Sequence, residues 1–324
     1  MIGYYVHHHG RGHSHRALEL ARHLTEPVTG LSSLPAPEGW PGAWVRLDQD
    51  DLSSTVSDPT ARGRLHWVPT ADIGLSARTA QISHWLDEHR PRLVVVDVSV
   101  EIAVLARLHG VPVVTVVLPG ERSDPAHLLG YDVSTRLVAM WPPSARGMLP
   151  GLPRTIRGRV CAVGALSRHP VRVRTSRAPG RPRVLLMTGA GGDDLRAAQI
   201  ERAQLQSPEW EWTVLGRHGV WADDPSSALS EADVVVTAAG QNNLAEIAAS
   251  RTPAVVVPQA RPFMEQRTTA TVLAAGGWPV MVEDRFPDEG WSERLQTASQ
   301  LDGSLWSSWC DGHAAQRFAD LVAT

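Results

Sequence analysis

The chain has 324 residues, 43% of them hydrophobic, and a formal net charge of −3 at pH 7, which fits a soluble globular enzyme and gives no reason to expect nucleic acid as its partner. All 31 basic residues are arginine, so Schiff-base chemistry and the lysine of a Walker phosphate loop are excluded. The two cysteines, Cys161 and Cys310, lie far apart, and no apolar run reaches the roughly 18 residues of a membrane span. We expect a cytoplasmic protein with at most peripheral membrane contact.

The first half of the chain predicts alternating strands and helices. Residues 2–6 (IGYYV) form a first apolar strand, and residues 16–24 (RALELARHL) carry apolar side chains at helical spacing. The continuous apolar run at residues 93–97 (LVVVD) is typical of a strand buried on both faces. A helix closed by Gly110 follows, and then the strands VPVVTVV and RLVAMW. This alternation predicts a parallel sheet wrapped by helices.

A second series begins after residues 164–183, an Arg-, Pro- and Ser-rich stretch that is typical of an exposed linker or edge loop. We therefore predict an α/β protein of two Rossmann-like doubly wound domains that face each other across a cleft. The domains are residues 1–164 and residues 165–324, and the last helix is expected to pack back on the first domain. Ligands of such sheets bind beyond the carboxyl ends of the strands, so the cleft is the expected site.

Five histidines stand in the stretch VHHHGRGHSHR, between the first strand and its helix. A metal site is one interpretation. However, His7, His8 and His9 alternate sides if the chain is extended, and no acidic residue is near in sequence. His13 and His15 lack the i, i+4 spacing of helical zinc ligands. The sequence therefore favours a single catalytic histidine, His13, just before the helix, and predicts no metal ligand.

Two polar stretches follow strands of the second half. The stretch TGAGGDD, which begins at Thr188, is a Gly-rich turn that either lets backbone amides approach an anion or is only a tight turn. In TAAGQNNLAEIAAS, Gln241 and Asn242 stand where a helix begins, and helix capping is their alternative role. Glu246 is expected in the first turn of that helix, where it either complements the helix dipole or binds the hydroxyls of a ribose.

A further stretch, PQARPFMEQRTTA at residues 258–270, also follows a predicted strand. It brings Arg261, Glu265, Gln266 and Arg267 close together. It is either a solvated loop or a third ligand-binding segment at the same sheet edge.

Together these stretches resemble the GT-B glycosyltransferases of the family-28 type. Many relatives carry Gly-x-Gly-His-x-x-Arg in the N-terminal domain, which stands here as residues 10–16. The family's glycine and glutamate after a strand stand here as Gly240 and Glu246, and its Glu/Asp-Gln-x-x-Asn-Ala stands at residues 265–270, with Thr269 in place of asparagine. The resemblance spans nearly the whole chain. It is most specific in the C-terminal segment, although the phosphate loop TGAGG is only similar to the family's Gly-Gly-Ser-x-Gly.

The resemblance implies a nucleotide-sugar donor, linked to UDP or dTDP, and no metal or other cofactor. The ribose is implied to bind Glu246, and the nucleobase is implied to meet the backbone near Val220 and Trp221. The other implied donor contacts are Gly12, Arg16, Thr188, Gly191, Gly192, Gly240, Gln241, Asn242, Arg261, Glu265 and Gln266.

The implied reaction is inverting transfer of a sugar to a hydroxyl of a small-molecule or lipid-linked acceptor. His13 is the candidate base, because the dipole at a helix N-terminus disfavours the imidazolium form. Asp97, at the end of a strand, and Glu101 are the candidate partners, and either orients His13 or binds the acceptor. A helix cap is the alternative role of Asp97.

Two other functions stay open at this point. The nucleotide-sugar hydrolase of the pseudaminic-acid pathway resembles the same architecture and also has the Gly-His-x-x-Arg loop, and there water replaces the acceptor. The other function is that of a non-catalytic nucleotide-sugar-binding subunit. The sequence leaves the acceptor, the sugar and the oligomeric state open.

Overall fold

The computed structural model describes residues 1–52, 55–173, 180–188, 194–222 and 224–324. The chain forms two compact units. The first unit comprises Met1–Ala139, Gly151–Val163 and Ala315–Thr324, and the second comprises Met140–Pro150 and Gly164–Ala314.

Strands and helices alternate along both units. The strands are β1 (Ile2–Tyr5), β2 (Val28–Ser32), β3 (Ala43–Arg46), β4 (Leu93–Asp97), β5 (Val113–Val117), β6 (Arg136–Ala139), β7 (Val160–Ala162), β8 (Arg183–Met187), β9 (Glu211–Leu215), β10 (Val234–Thr237), β11 (Ala254–Val256) and β12 (Val280–Val282). The helices are α1 (Arg11–Ala21), α2 (Ile73–His89), α3 (Val100–Leu108), α4 (Pro125–Val133), α5 (Arg154–Arg157), α6 (Ala197–Gln206), α7 (Ser226–Glu231), α8 (Gln241–Ser250), α9 (Glu265–Ala275), α10 (Trp291–Ser299) and α11 (Ala314–Ala323). Among the described residues, no helix is both long and apolar enough to cross a bilayer.

The described strands of the first unit form a parallel sheet in the order β3-β2-β1-β4-β5-β6-β7. All residues of β1, β2, β4 and β5 are buried, and β1, β4 and β5 lie in apolar stretches that the sequence predicts as strands. The chain runs outward from β1 through β2 to β3 and then returns to the centre for β4. The strand order therefore reverses between β1 and β4, and the crevice beyond their carboxyl ends is where such sheets bind ligands.

The described strands of the second unit form a five-stranded parallel sheet in the order β12-β11-β10-β8-β9. Here the order reverses between β8 and β10. The core of this unit combines aliphatic strand residues with Trp210, Phe286 and Trp291. The core of the first unit contains Trp85 of α2 packed with residues of β4 and α3.

Side-chain caps start three of the helices in the first unit. Asp72, Ser99 and Asp124 each accept a hydrogen bond from a backbone N–H in the first turn of the helix that they precede. Ser99 is therefore the cap of α3. The carboxylate of Asp97 does not cap this helix and makes other contacts.

The C-terminal segment Ala315–Thr324 belongs to the first unit. The guanidinium of Arg92 donates to the carbonyl oxygen of Val322 at 2.8 Å, and that of Arg317 donates to the carbonyl oxygen of Val163 at 2.8 Å. Arg136 also donates to backbone and side-chain oxygens of the last turn, from Leu321 and Thr324. Hydrogen bonds from three arginines thus attach α11 to the sheet that begins the chain.

Candidate functional site

The reversal point of the first sheet brings two predicted residues together. Strands β1 and β4 pair in parallel, with Tyr5 opposite Val96. The histidine stretch leaves the end of β1, and Asp97 ends β4. Gly10, with a φ of +94°, precedes α1, which begins at Arg11. A left-handed φ favours glycine. His13 therefore lies within the first turn of α1 and not before the helix as predicted.

A triad is formed at this point by His13, Asp97 and Arg16. His13 Nδ1 lies 2.9 Å from Asp97 Oδ2, and Arg16 donates from NH1 to Asp97 Oδ1 at 3.0 Å. Asp97 is fully buried and Arg16 nearly so. Because a carboxylate accepts the Nδ1–H of a neutral imidazole, this contact leaves Nε2 as the proton-accepting nitrogen of His13.

The charge of Asp97 is stabilised by its two partners. Burial alone would raise the pKa of this carboxyl, but the guanidinium of Arg16 and the ring of His13 outweigh burial and hold the pKa below its ordinary value. Asp97 is therefore a carboxylate at neutral pH. The sequence predicts Arg16 at the donor, whereas its contact in the structure is with Asp97.

The backbone directly after Asp97 is strained. Val98 has a φ of +66°, a conformation that is a marked outlier for a β-branched residue. Such strain costs about 1–3 kcal/mol and occurs most often at functional sites. It turns the chain sharply between the carboxylate and α3.

Glu101, the second predicted partner of His13, makes different contacts. Its Oε1 accepts from the backbone N–H groups of His66 at 2.7 Å and Trp67 at 3.1 Å, and its Oε2 accepts from the hydroxyl of Ser99 at 3.1 Å. Glu101 thus anchors residues 66–67 beside α3. Of the two predicted partners, Asp97 is the one in contact with His13.

The histidine triplet does not alternate sides as predicted, because β1 ends at Tyr5 and the triplet is not extended. The rings of His7 and His8 stack with centroids 5.1 Å apart and planes 5° apart, and the His7 ring lies 5.5 Å from that of His13. Burial and the neighbouring His13 lower the pKa of His7 to about 3. His7 is thus a neutral ring between His8 and His13.

The second unit has its own reversal point, between β8 and β10. Thr188 follows β8, and its backbone N–H donates to the carbonyl oxygen of Leu215 at 3.1 Å. Gly216, with a φ of +106°, leaves no room for a side chain, since a Cβ there would lie 2.3 Å from Thr188 Oγ1. The ends of β8 and β9 therefore approach closely. Gly191 and Gly192 lie outside the described residues.

The start of α8 carries an unsatisfied polar side chain. Gly240 is the N-cap and no described side chain caps this helix, so the predicted alternative of an asparagine cap is wrong. Both amide atoms of Gln241 are buried and have no hydrogen-bond partner among the described residues. A buried polar group without a partner costs about 1–3 kcal/mol, so Gln241 is the strongest candidate in this unit for a ligand contact. Asn242 beside it is half-buried.

Glu246 lies in the second turn of α8 and not in the first turn as predicted. It is buried, and its Oε1 accepts from Arg168 Nε at 2.5 Å. Arg168 ends the stretch GALSR, to which the sequence assigns no contact. The pair fixes the orientation of the predicted ribose-binding carboxylate.

The segment before α9 is tied to the loop that follows β8. Gln266 Oε1 accepts from the backbone N–H of Gln259 at 2.8 Å, and Gln259 Oε1 accepts from that of Asp194 at 2.9 Å. Between these contacts, Phe263 and Met264 both have a left-handed φ, of +57° and +55°. Gln266 therefore supports the loop backbone.

The other predicted donor residues are placed as follows. Glu265 opens α9, and Arg261 is half-buried and donates from NH1 to the carbonyl oxygen of Ala260 at 3.0 Å. Val220 and Trp221 are exposed after β9, where the carbonyl oxygen of Val220 accepts from the N–H of Gly216 at 3.0 Å.

The sequence did not identify a second polar cluster in the first unit. His127 Nδ1 lies 2.5 Å from Asp124 Oδ2, and its Nε2 lies 3.2 Å from Arg122 NH1. Arg122 and His127 line a small cavity whose other walls are mainly apolar and include Val98 and Tyr131. Val98, which directly follows Asp97, is thus part of the cavity wall.

No family model matches the chain. The chain is 28% identical over 213 residues to the UDP-N-acetylglucosamine–N-acetylmuramyl-(pentapeptide) pyrophosphoryl-undecaprenol N-acetylglucosamine transferase of Burkholderia cenocepacia, a match that covers 64% of this chain and 53% of that protein. The chain thus spans about half the length of this curated relative.

Solved structures share the fold over nearly the whole chain. The glycotransferase of kitacinnamycin has a TM-score of 0.70 at 18% identity and covers 99% of this chain and 97% of its own. The spinosyn rhamnosyltransferase SpnG complexed with thymidine diphosphate has a TM-score of 0.63 at 16% identity and covers 100% of this chain and 96% of its own. The chain therefore has the GT-B glycosyltransferase fold, which confirms the predicted fold, and its sequence is similar to a family-28 enzyme.

We expect Arg16→Met to lower the free energy of unfolding by about 3–5 kcal/mol, because it leaves the buried carboxylate of Asp97 without its guanidinium partner. Arg22→Met is the matched control. Arg22 directly follows α1 but pairs with Glu19 at the surface, so its loss should cost no more than about 1 kcal/mol. Urea denaturation measures both variants, and equal small effects would contradict the buried ion pair.

The stability of the first unit should depend on pH through His127. Burial lowers the pKa of His127 to about 4 against the opposing hydrogen bond to Asp124, whereas in the unfolded chain the pKa is about 6.5. Between these values the unfolded chain binds a proton that the folded chain does not. The free energy of unfolding is therefore highest above pH 6.5 with respect to this group, and it decreases as the pH falls toward 4.

The test compares the native chain with His127→Gln by urea denaturation at pH 7 and pH 5. The native chain should lose about 1–2 kcal/mol more than the variant over this interval, since one pH unit between the two pKa values is worth about 1.36 kcal/mol. Parallel losses in the two proteins would show that His127 does not titrate as described.

Proposed function

We propose that this chain transfers a sugar, with inversion, from a nucleoside diphosphate donor to an acceptor hydroxyl, and that His13 is the base. The observation that carries the proposal is the contact between His13 and Asp97 at the reversal point of the first sheet. The similarity to a family-28 transferase and the GT-B fold support the reaction class.

In the proposed step the acceptor oxygen attacks the anomeric carbon of the sugar. The bond from this carbon to the diphosphate oxygen breaks, and the nucleoside diphosphate leaves with the electron pair. The proton of the acceptor hydroxyl goes to Nε2 of His13, while Asp97 stabilises the imidazolium that forms. A positioned base of this kind contributes about 10²- to 10⁴-fold to the rate.

The donor is proposed to bind the second unit at the carboxyl ends of β8 and β10. The unsatisfied amide of Gln241 and the amides at the start of α8 suit the diphosphate, because a helix N-terminus favours negative charge. Arg261 adds charge, and no metal is required to neutralise the diphosphate. Glu246, held by Arg168, suits the ribose hydroxyls.

The nucleotide of the donor is proposed to be UDP or dTDP. The Burkholderia relative is named for a UDP-sugar, and SpnG is solved with thymidine diphosphate. The exposed Val220 and Trp221 are proposed to meet the base.

The acceptor is proposed to contact the apolar residues around Val98. Apolar walls with Arg122 and His127 at one side suit an apolar molecule that carries a polar or anionic group. Such a molecule can be a lipid-linked acceptor, as in the name of the Burkholderia relative, or a small molecule such as kitacinnamycin, for which the similar glycotransferase is named.

The variant His13→Ala tests the reaction. Turnover of UDP- and dTDP-linked sugars should fall by at least about 100-fold, while nucleotide binding stays unchanged. His15→Ala is the control, because it removes a histidine from the same stretch and should keep full turnover. Unchanged turnover of His13→Ala would remove His13 from the mechanism.

The products separate transfer from hydrolysis. Free sugar released equally with and without lipid-linked or aglycone acceptors would identify a hydrolase, and nucleotide binding without turnover of any donor would identify a binding subunit. Sugar found on the acceptor supports transfer.

A thermal-shift panel with UDP, dTDP, GDP, CMP and NAD tests the donor site. A ligand at about 100 times its dissociation constant adds about 2.7 kcal/mol of stability. Glu246→Gln should weaken UDP or dTDP binding by about 10-fold or more, because a hydrogen bond to a charged group is worth about 1.5–3 kcal/mol. Glu211→Gln, which changes an exposed acid of β9, is the control. A response to NAD alone would refute the donor assignment.

A further inference from the structure

Two segments far apart in sequence converge beside the His7 ring. His8 Nε2 lies 3.4 Å from Asp50 Oδ1 and 3.4 Å from Asp51 Oδ2, and His9 Nε2 lies 2.8 Å from Asp51 Oδ2. All four residues belong to the first unit. None of them has a part in the proposed transfer reaction or in the donor site.

The central side chain of this group is buried and unsatisfied. The His8 side chain is 7% exposed, and neither of its ring nitrogens has a hydrogen-bond partner in the described part of the chain. Asp50 Oδ1 is also buried without a hydrogen bond from any described residue. Two carboxylate oxygens therefore lie near His8 Nε2, yet neither forms a hydrogen bond with it. Buried polar atoms that converge without bonding to one another need another partner.

The spacing of these atoms fits a metal ion. Bonds of about 2.0–2.2 Å around a tetrahedral zinc ion place neighbouring ligand atoms roughly 3.4 Å apart. The contact of His8 Nε2 with Asp51 Oδ2 has this length. The contact between His9 and Asp51 is shorter and has to open on binding, which is feasible because the His9 side chain is 64% exposed and that of Asp51 is 32% exposed.

The charges at this position also suit a cation. Arg78 Nε lies 3.6 Å from Asp50 Oδ2, on the carboxylate oxygen that does not approach His8. Two carboxylates and one guanidinium leave one net negative charge. Neutral imidazole and ionised carboxylate are the forms that bind metals.

We propose that His8 Nε2, His9 Nε2 and Asp51 Oδ2 form a three-ligand site for a divalent transition-metal ion of the Zn²⁺ class. Imidazole and carboxylate ligands suit this class. The ion links the loop after β1 to the loop after β3. Because the His7 ring lies between those of His8 and His13, the ion also restrains the segment that leads to α1.

The experiment uses the full chain, stripped with EDTA and dialysed, and titrates it with ZnCl₂ by calorimetry. The native chain should bind one ion, and Asp51→Asn should weaken binding by more than about 100-fold, since loss of even an outer-shell partner of a metal costs 10- to 100-fold. His8→Ala should have the same effect. His15→Ala is the matched control, because it removes a histidine of the same stretch outside the site and should leave the affinity unchanged.

Titration with Co²⁺ provides a second measurement that does not depend on activity. The visible absorption bands of a four-coordinate Co²⁺ site should appear in the native chain and in His15→Ala and should be absent from Asp51→Asn. Unchanged affinity in Asp51→Asn would show chelation by histidines alone and would overturn the site, as would the absence of binding to the native chain. Either result leaves the role of His13 untouched, because His13→Ala is tested by turnover.

Discussion

The first unit depends on one buried carboxylate. Asp97 is buried and ionised. The cost of burying this charge is offset because Arg16 and His13 each contact one of its two carboxylate oxygens. Since both partners come from α1, this contact fixes the rotation and height of α1 against the end of β4. The path of the loop between β1 and α1 is set by the same contact. The strained backbone at Val98 turns the chain away directly behind the carboxylate, so one ionic contact positions both the imidazole and the wall of the neighbouring cavity.

The strand order of the second unit reverses between β8 and β10, and different groups line this point. Its described groups beside β10 are mainly neutral, and the amide of Gln241 is held in place without a partner from the described residues. The buried carboxylate of Glu246 already has Arg168 as its counter-charge. The amide of Gln241 gains from an anion the partner that the described residues do not supply, and the carboxylate of Glu246 has further acceptor capacity for the hydroxyl groups of a ligand. A nucleoside diphosphate has both kinds of group.

The sequence predicts the fold well because parallel strands buried on both faces are continuous apolar runs, as in β4 and β5. It also predicts that His13 and Asp97 belong together, since both follow central strands. It does not predict Asp51 beside His9 or Glu246 beside Arg168, which are separated by 42 and 78 residues. These contacts depend on how loops cross the ends of the sheets. The expected alternation of side chains in the histidine triplet is also wrong, because β1 ends at Tyr5 and the residues that follow are not extended.

Because the chain has no lysine, guanidinium groups are the permanent side-chain cations that can pair with its buried carboxylates. Arg78 shows what this allows, since it donates to the Ser33 hydroxyl, the Asp48 carbonyl and the Tyr5 hydroxyl, and its Nε still faces Asp50. The ammonium group of lysine has fewer N–H donors, and they do not form a planar array. It also loses its proton more readily when buried, whereas guanidinium stays charged. The carboxylates paired with arginine therefore keep their counter-charge at every pH at which the protein is folded.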